Sequence, residues 1–356
     1  MNKEIVFVIS DLSNGGAQKV FVRIANHLAN KKKITLVTLY NKNDENFIIN
    51  KKIKRIKLDF KSKNNFLSKI YSNLTIIFKL RKIIKRTNPE SILSFLSTTN
   101  IITIFASIGL NKKIIISERN DPNFQKLNFF WNFLRYFSYK LTDLIIINTK
   151  NAAKFLEKFV KSSKIVFIAN PIKIEKFRVL ERKKIILAVG RLTNQKGFDI
   201  LIKAFKESKI YEQSWNLTIV GKGEQEKFLK NLTKELNIEN FVSFPGYKKN
   251  LSNYYKTSSL FILPSRYEGM PNTLLEALAF KMPCMISNYC YSAFEFLEDK
   301  KSCIKIDINL KNQFTKFLRK IVSNKDTQNK LSVNGYKALK KNFCDKKILD
   351  QWTKLL

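Results

Sequence analysis

The stretch that decides the fold is Leu260-Phe-Ile-Leu-Pro-Ser-Arg-Tyr-Glu-Gly-Met-Pro-Asn-Thr-Leu-Leu-Glu276. Its apolar start predicts a buried strand, and the apolar spacing at its end predicts a helix. The turn between them contains a glycine and a proline and is bracketed by two carboxylates, Glu268 and Glu276. A strand that turns directly into a helix in this way is the repeating unit of a parallel α/β sheet.

The same alternation of short apolar runs and longer helical patterns continues along all 356 residues. This length favours two domains. We predict two doubly wound, Rossmann-like α/β domains that face a central cleft, because open parallel sheets bind ligands beyond the carboxyl ends of their strands. The predicted domains are 1–178 and 179–340, and 341–356 is predicted to be a helix that packs back toward the first domain.

The predicted strands follow the apolar runs of the two halves. They are 5–9, 34–39, 91–95, 113–116, 143–147 and 165–168 in the first half, and 185–189, 217–220, 241–244, 260–263, 284–286 and 303–306 in the second. Helical patterns fill most of the intervals, and the segment 326–356 is expected to be helical in two pieces.

The chain carries a formal net charge of +38. Such a charge suits nucleic acid, an anionic membrane face or phosphorylated substrates, and a biased genome composition would produce it as well. The stretch from Lys51 to Arg86 has 13 basic residues and one acid, with apolar residues at helical spacing, and 124–139 adds an aromatic helix with flanking cations. Two interpretations stay open: these helices pack one face into the core, or they dock on an anionic inner membrane.

Cysteine and histidine usage excludes several kinds of site. The four cysteines show no Cys-x-x-Cys spacing, which predicts buried, reduced thiols in a cytosolic protein. The single histidine, His27, lies inside the first helix pattern and is predicted to be structural, which excludes a histidine-based metal site or triad. No signal peptide is predicted, and the longest apolar stretch, 101–110, is about half of the roughly 20 residues of a spanning helix. We therefore expect a soluble or peripheral protein.

Glycine turns follow several predicted strands. Gly15 and Gly16 follow the first strand without a Gly-x-Gly-x-x-Gly pattern, so a simple tight turn and a ligand loop are both open. The turn Gly190-Arg-Leu-Thr-Asn-Gln-Lys-Gly197 places Arg191 and Lys196 before a predicted helix. A guanidinium fork and an ammonium group at that position suit a diphosphate. A third turn, Gly221-Lys-Gly223, would let the backbone approach a nucleoside.

The turn around Glu276 has two interpretations. The pattern from Thr273 to Glu276 is that of a capping box, in which Glu276 would only cap its own helix. Alternatively, the free amides of the helix start would hold an anion while Glu268 and Glu276 accept hydrogen bonds from vicinal hydroxyls. A nucleotide sugar combines both kinds of group.

These motifs together resemble glycosyltransferase family 4, a group of retaining enzymes with the GT-B fold. The resemblance covers nearly the whole chain and is most specific after residue 185. It rests on 190–199, 219–224, 244–247 and 263–279, in the order and spacing of that family. In the first half it rests on Asn14-Gly-Gly-Ala-Gln18 and on Ser117-Glu-Arg-Asn-Asp-Pro122, a motif seen in members that build bacterial surface glycans.

The resemblance implies a role for each site residue. Glu268, Arg191 and Lys196 would be catalytic: the two cations would hold the donor diphosphate, and Glu268 would face the transferred sugar. Many relatives place a histidine near that sugar, and here the loop at Glu118 and Arg119 would take over this task or bind the acceptor. Donor-binding roles are implied for Gly15, Gly16, Gly190, Gly221, Gly223, Gly269, Met270, Pro271, Asn272, Thr273, Leu274 and Glu276.

The implied function is a hexosyltransferase reaction. A hexose or N-acetylhexosamine would move with retention from a UDP-sugar to a hydroxyl of a glycan acceptor. The expected acceptor is a polyprenyl-diphosphate-linked sugar in bacterial lipopolysaccharide, capsule or other glycan biosynthesis. No cofactor or metal is expected. The first domain would bind the acceptor and the second the donor, and the protein would lie on the cytoplasmic face of the inner membrane through its basic helices.

Other functions stay open at this point. One is another GT-B chemistry, such as inverting transfer or UDP-sugar epimerisation, and a further one is an inactive or regulatory member of the fold. Charge alone suggests a nucleic-acid-binding protein, but helix-turn-helix, zinc-finger and RNA-binding signatures are missing from the sequence.

Overall fold

The computed structural model describes residues 4–13, 15–41, 45, 47–61, 65–119, 122, 127–174, 177 and 181–356. Its contacts divide the chain into two compact units. Unit 1 consists of Met1–Pro171 together with Lys346–Leu356, and unit 2 consists of Ile172–Asp345. The predicted domain boundary after residue 178 lies later than this division, beside residues outside the described ranges.

Unit 1 is built around one parallel sheet. Its strands are β1 (Glu4–Ile9), β2 (Lys33–Tyr40), β3 (Lys54–Phe60), β4 (Ser91–Phe95), β5 (Lys113–Ser117), β6 (Leu144–Ile147) and β7 (Ile165–Phe167). Its helices are α1 (Gly16–Leu28), α2 (Phe66–Thr87), α3 (Ser97–Ser107), α4 (Phe129–Ser138), α5 (Lys150–Leu156) and α12 (Asp345–Leu355). In the described residues the strand order is β3-β2-β1-β4-β5-β6-β7, which is the doubly wound arrangement with its switch point between β1 and β4.

Strand β3 corrects the interpretation of the basic stretch from Lys51 to Arg86. The first part of that stretch is not a helix, because Lys54-Arg-Ile-Lys-Leu-Asp-Phe60 alternates charged and apolar residues with the period of a strand. Its apolar residues Ile56, Leu58 and Phe60 pack against the core under α2. The high charge hid the alternation, and the helix begins only at Phe66.

The core under α2 shows how that helix divides its apolar residues. Ile76, Leu80 and Ile84 are fully buried against strands of the sheet. Leu74 and Phe78, which belong to the same apolar pattern, are 50% and 65% exposed. One face of the basic helix therefore packs into the core, and another presents apolar side chains to solvent.

Helix α12, from the far end of the sequence, is part of unit 1. Its Trp352 is fully buried, with the ring centroid 6.0 Å from that of Phe95 at the end of β4. Nε2 of His27 on α1 lies 3.2 Å from Oγ1 of Thr353. His27 thus joins two helices, in agreement with the structural role predicted for it.

Unit 2 contains a second parallel sheet, with the order β10-β9-β8-β11-β12-β13. The strands are β8 (Lys183–Val189), β9 (Asn216–Val220), β10 (Val242–Ser243), β11 (Ser258–Leu263), β12 (Cys284–Ser287) and β13 (Ile304–Ile306). The helices are α6 (Phe198–Ser208), α7 (Glu226–Glu235), α8 (Ser252–Thr257), α9 (Asn272–Ala279), α10 (Lys311–Ser323) and α11 (Lys325–Asn342). The helical patterns predicted at 199–206, 224–236 and 273–280 correspond to α6, α7 and α9, whereas α8 and α10 were not predicted.

The prediction of buried, reduced thiols holds for three of the four cysteines and is wrong for Cys344. Cys284, Cys290 and Cys303 are buried and free, and Cys344 is free and exposed. Within the described ranges, no helix combines the length and the apolar character that a membrane crossing requires.

Candidate active site

The predicted donor-site residues come together in unit 2. The turns that begin at Gly190, Gly221 and Pro264 follow β8, β9 and β11, which are neighbours in the order β9-β8-β11. Because the strands are parallel, these turns share the carboxyl edge of the sheet. Residues that are far apart in sequence thus become one surface, which no single motif could establish.

The turns after β8 and β9 are joined by backbone hydrogen bonds. The Gly190 amide donates to the Val220 carbonyl at 3.0 Å, and the Leu192 amide donates to the Lys222 carbonyl at 2.9 Å. Gly221 is required at this contact, because a Cβ there would overlap the Gly190 carbonyl. The close approach fixes both turns as one rigid wall of the site.

The turns after β8 and β11 are joined in a similar way. Gly197 has a φ of +64°, and a Cβ there would overlap the Pro264 carbonyl. The Arg266 amide donates to the Gln195 carbonyl at 2.8 Å, and Gln195 Nε2 donates to the Tyr267 carbonyl at 3.0 Å. These bonds hold the segment that carries Lys196 against the segment that carries Glu268.

The central contact of this edge is an ion pair. Nζ of Lys196 lies 2.5 Å from Oε1 of Glu268, and Oγ of Ser265 donates to the same oxygen at 2.7 Å. The side chains of Lys196 and Glu268 are only 13% and 8% exposed. The aliphatic part of Lys196 lies along Gly190, where a Cβ would come within 3.1 Å of it. Burial makes this pair sensitive to the loss of either partner.

A second ion pair braces the same two turns. Nη1 and Nη2 of Arg266 donate to the two carboxylate oxygens of Asp199 at 2.9 and 2.7 Å. Burial of Asp199 opposes its ionisation, but the hydrogen bonds and charge of Arg266 outweigh that effect and lower the pKa of Asp199. The same bonds raise the pKa of Arg266. A fork-to-fork pair of this kind fixes orientation as well as distance.

Arg191 differs from Lys196 in its surroundings. Its side chain is exposed, and no hydrogen bond or ion pair of its guanidinium group occurs among the described residues. This edge thus carries an exposed cation, Arg191, and a largely buried one, Lys196, whose charge is partly neutralised by Glu268. An anionic ligand would be stabilised there.

Helix α9 begins differently from the capping-box prediction. It starts at Asn272, its N-cap is Pro271, and no side-chain hydrogen bond caps it. Thr273 therefore lies inside the first turn, and its buried Oγ1 has no hydrogen-bond partner in the described structure. The capping-box interpretation is wrong, because Thr273 follows the helix start rather than preceding it. Oε2 of Glu276 instead accepts a hydrogen bond from the Tyr255 hydroxyl at 3.0 Å.

Two family models match the chain, one for each half. The model described as Glycosyltransferase Family 4 matches residues 14–176, and the model described as Glycosyl transferases group 1 matches residues 170–338. The chain belongs to the family-4-like glycosyltransferases. The predicted enzyme class is thereby confirmed.

Relatives of this glycosyltransferase span its full length. An uncharacterized glycosyltransferase of Haemophilus influenzae is 29% identical and aligns over 99% of this chain and 100% of its own length. A Campylobacter jejuni protein is 28% identical over 99% of this chain and 98% of its own length. It is named GalNAc-alpha-(1->4)-GalNAc-alpha-(1->3)-diNAcBac-PP-undecaprenol alpha-1,4-N-acetyl-D-galactosaminyltransferase.

Solved structures identify the fold of the glycosyltransferase. The crystal structure of Anabaena HepE in complex with UDP and glucose aligns with a TM-score of 0.85, over 99% of each chain and at 14% identity. With two parallel-sheet units and neighbours of this kind, the predicted GT-B fold is confirmed.

Several residues predicted for the donor site of the glycosyltransferase have buried side chains or none. Met270 and Leu274 are buried in the core, and the Gly269 carbonyl accepts a hydrogen bond from Ser292 Oγ. Ser265, Ser292, Asp199 and Tyr255 were missed as site residues. They act by contacts between segments distant in sequence, so no local pattern marks them.

The predicted acceptor loop lies in unit 1, after β5. Glu118 is fully buried and accepts hydrogen bonds from Ser97 Oγ at 2.8 Å and from the Tyr139 hydroxyl at 2.7 Å. Burial raises the pKa of Glu118, and these bonds oppose the shift only in part. The carboxyl group thus serves as an internal brace in this structure rather than as an exposed contact.

Arg119 in the same loop is buried but incompletely paired. Its Nη1 donates to Asn170 Oδ1 at 2.9 Å, and its guanidinium carbon lies 4.7 Å from the Phe95 ring centroid and 5.4 Å from that of Trp352. Nε and Nη2 have no hydrogen-bond partner in the described residues. Burial lowers the pKa of Arg119 to about 9 despite the nearby charge of Glu118.

The remaining unit 1 prediction concerns the turn after β1. Gly15 is the N-cap of α1, and Gly16 is the first residue of that helix. Asn14 of the same motif lies outside the described residues. The donor contact predicted for Gly15 and Gly16 stays a prediction.

Across the described ranges, no group of three or more His, Cys, Asp and Glu side chains could hold a metal ion. Independence from metal ions stays a prediction.

Proposed function

We propose that this glycosyltransferase moves a hexose or N-acetylhexosamine from a UDP-sugar to a hydroxyl of a polyprenyl-diphosphate-linked glycan, with retention at the anomeric carbon. The observation that carries the proposal is the buried contact between Lys196 and Glu268 at the edge formed by three neighbouring turns. It sets a cation for phosphate and a carboxylate for a sugar side by side. The Campylobacter jejuni relative is named for a PP-undecaprenol-linked acceptor, which supports the proposed acceptor class. HepE, which has a similar fold, was crystallised with UDP and glucose, which supports the proposed donor class.

The donor would occupy the carboxyl edge of unit 2. Its diphosphate would contact Arg191, Lys196 and the amides of the first turn of α9, where the unpaired Thr273 hydroxyl offers a further hydrogen bond. Its ribose hydroxyls would bond to Glu276, and the uracil side would lie near the rigid wall of Gly221 and Gly223. Of these groups, the Arg191 guanidinium is exposed and the Thr273 hydroxyl has no hydrogen-bond partner among the described residues.

The chemical step would place growing charge next to these groups. As the bond from the anomeric carbon to the UDP oxygen breaks, negative charge develops on the leaving phosphate, and Arg191 and Lys196 would stabilise it. Glu268 would orient the sugar and stabilise the oxocarbenium-like carbon. A phosphate oxygen would accept the proton of the acceptor hydroxyl, which attacks the same face, so the configuration is retained.

The ion pair would be remodelled when the donor binds. Without donor, Glu268 partly neutralises Lys196 and holds the Lys196 ammonium group in one position. A bound diphosphate would share that ammonium group, which frees one Glu268 oxygen for the sugar. Arg266 with Asp199 keeps the backbone of both turns fixed during this exchange.

The acceptor side would use Arg119. Its unpaired Nε and Nη2 are donors in a buried position, which is costly unless a ligand or water satisfies them. A diphosphate or sugar oxygen of the lipid-linked acceptor would be such a partner. Glu118 would support Arg119 from inside the unit.

Membrane contact would use the exposed faces of α2 and α4 in unit 1. On α4, Phe129, Phe133 and Phe137 are 87%, 52% and 51% exposed. On α2, Phe78 is exposed beside a series of lysines and arginines, and both helices pack on the same side of the sheet through Trp131. Exposed aromatic rings with surrounding cations suit the anionic face of a bilayer, which for a lipid-linked acceptor would be the cytoplasmic face of the inner membrane.

The test of the membrane contact is flotation with liposomes of phosphatidylcholine alone or mixed with phosphatidylglycerol. We expect salt-sensitive binding to the anionic vesicles and its loss in the double variant Phe129→Ser/Phe133→Ser. The matched control is Phe228→Ser, because Phe228 is 51% exposed in unit 2. Equal flotation of both variants, or no preference for anionic lipid, would remove this part of the proposal.

The test of the reaction uses a panel of UDP-sugars with a lipid-linked acceptor. Arg191→Ala and Glu268→Gln should each lower turnover by roughly 100- to 1,000-fold. The anomeric coupling constant of the product, read by NMR, should equal that of the donor. Wild-type turnover in both variants would end the assignment of the site, and an inverted product or an epimerised UDP-sugar would favour another GT-B chemistry.

A further inference from the structure

Tyr255 lies beneath the proposed donor site and is absent from the predicted site. It is on α8, is 1% exposed, and its hydroxyl lies 3.0 Å from Oε2 of Glu276. The Thr273 carbonyl is a more distant acceptor for the same hydroxyl, at 3.4 Å. A phenol has one proton to donate, so the bond to the charged carboxylate is the stronger of the two.

The Tyr255 hydroxyl stays protonated and therefore remains a hydrogen-bond donor. Burial and the charge of Glu276 together raise the pKa of Tyr255 well above its usual value. The hydroxyl therefore keeps its proton at any pH at which an enzyme assay is run. Glu276 can accept from it throughout the catalytic cycle.

The ring of Tyr255 is held as firmly as its hydroxyl. It stacks on Phe280 at the end of α9, with ring centroids 5.4 Å apart and planes 14° from parallel. Arg182 donates from Nη1 to the Tyr255 carbonyl at 3.0 Å and from Nη2 to the Phe280 carbonyl at 2.7 Å. One guanidinium group thus ties the end of α8 to the end of α9. The hydroxyl has little freedom to follow Glu276 if that carboxylate rotates.

A fixed hydroxyl restricts the carboxylate that accepts from it. The Glu276 carboxylate rotates about its terminal bond with little intrinsic preference. The bond from Tyr255 to Oε2 restrains the plane of the carboxylate, and with it the directions of the other lone pairs. Two vicinal hydroxyls can be recognised together only if those directions match their spacing.

We propose that Tyr255 is a positioning residue that orients Glu276 toward the 2′- and 3′-hydroxyls of the donor ribose and makes the site select ribonucleotides over 2′-deoxyribonucleotides. This inference rests on the proposed role of Glu276 in binding the nucleotide. Sites built to bond a substrate hydroxyl reject the analogue that lacks it, because the protein group is then left unpaired. A Glu276 carboxylate held by Tyr255 is such a site, and its match to the two hydroxyls is poorer without this restraint.

The experiment measures binding of UDP and of 2′-deoxy-UDP to the full-length protein by calorimetry. The wild-type protein should prefer UDP. Tyr255→Phe removes one oxygen and keeps the stacked ring, so we expect UDP affinity to fall about tenfold, as for a lost hydrogen bond to a charged group. Affinity for 2′-deoxy-UDP should change little, so the preference should collapse.

Two further variants separate positioning from a general loss of structure. Tyr254→Phe removes a hydroxyl from the neighbouring residue of α8 and should leave both affinities as in the wild type. In a Glu276→Gln background, Tyr255→Phe should cause little additional loss, because its effect passes through the carboxylate. An equal loss for both nucleotides, or a further full loss in the Gln background, would show a merely structural role and overturn the proposal.

The outcomes also distinguish this inference from the function on which it rests. If the wild-type protein binds UDP and Tyr255→Phe retains its preference over the deoxy analogue, the positioning role is wrong and the donor site stands. If the wild-type protein does not bind UDP, both are wrong.

Discussion

The two units differ in how their charged side chains are exposed and paired at the same place in the fold, the carboxyl edge of a parallel sheet. In unit 2, the Lys196–Glu268 ion pair is largely buried, but the guanidinium group of Arg191 in the same turn as Lys196 is exposed. In unit 1, Glu118 and Arg119 are both buried, and the acid is satisfied by Ser97 and Tyr139. Charges at an edge are thus available to a ligand in one unit and mostly engaged by the protein in the other. Position at a sheet edge alone does not assign a catalytic role.

The largest expected effect tests the edge of unit 2. Lys196→Met removes the cation closest to the proposed leaving phosphate, so turnover should fall roughly 100- to 1,000-fold. The measurement is initial rate with saturating UDP-sugar, with thermal unfolding as a check on folding. Lys203→Met, an exposed lysine on α6, is the matched control and should retain full turnover. A rate near that of the control would remove Lys196 from the mechanism.

The next effect tests whether the edge of unit 1 also meets a substrate. Arg119→Lys keeps the charge but loses the guanidinium fork that carries the unpaired Nε and Nη2. We expect the KM for the lipid-linked acceptor to rise about tenfold, as for a lost bond to a charged group, while the KM for the donor is unchanged. Arg135→Lys, another buried arginine of unit 1, should lower stability without this split. Equal changes in both KM values would make Arg119 purely structural.

A smaller effect contrasts two carboxylates through the pH dependence of stability. The pKa of Asp199 in unit 2 is lowered, so its contribution is present above the unfolded value of about 3.9 and is lost as pH falls through the lowered pKa. The pKa of Glu118 in unit 1 is raised, so the folded state is favoured at low pH. That contribution is lost as pH rises from about 4.3 through the raised pKa.

The corresponding measurement is the unfolding temperature as a function of pH for the wild type, Asp199→Asn and Glu118→Gln. The Asn variant should be less sensitive to acid than the wild type, and the Gln variant should lose less stability as pH rises. Changes of the same sign in both variants would contradict the contrast between the two edges.

The last prediction concerns metal ions, for which we expect no effect on turnover. Two cations and the first turn of α9 would offset the diphosphate charge, so addition of EDTA should leave turnover unchanged. Added Mg²⁺ and Mn²⁺ should not raise turnover of the EDTA-treated enzyme by more than assay error. Strict dependence on either ion would show that protein cations do not suffice.

Most strands and the main site motifs could be predicted from the sequence. The features that were missed have physical explanations. Apolar runs placed most strands, because burial on both faces leaves a clear signal. Strand β3 was missed because its apolar positions alternate with lysine and arginine. Local motifs located Glu268 and Glu276, but their partners Ser265 and Tyr255 follow from how segments meet in three dimensions. The burial of Glu118 could not be predicted either, because a charged residue in a loop motif is ordinarily expected to be exposed to solvent.

Helix α12 has a consequence for the synthesis of the protein. Trp352 packs beside Phe95 and Arg119, so the packing of unit 1 is incomplete until α12 has been synthesised. All of Ile172–Asp345 is translated in the interval, which takes roughly 10 to 35 s at ordinary elongation rates. Until then, the Phe95 ring lacks its contact with Trp352. Unit 2 can thus be completed before unit 1, although most of unit 1 precedes it in the sequence.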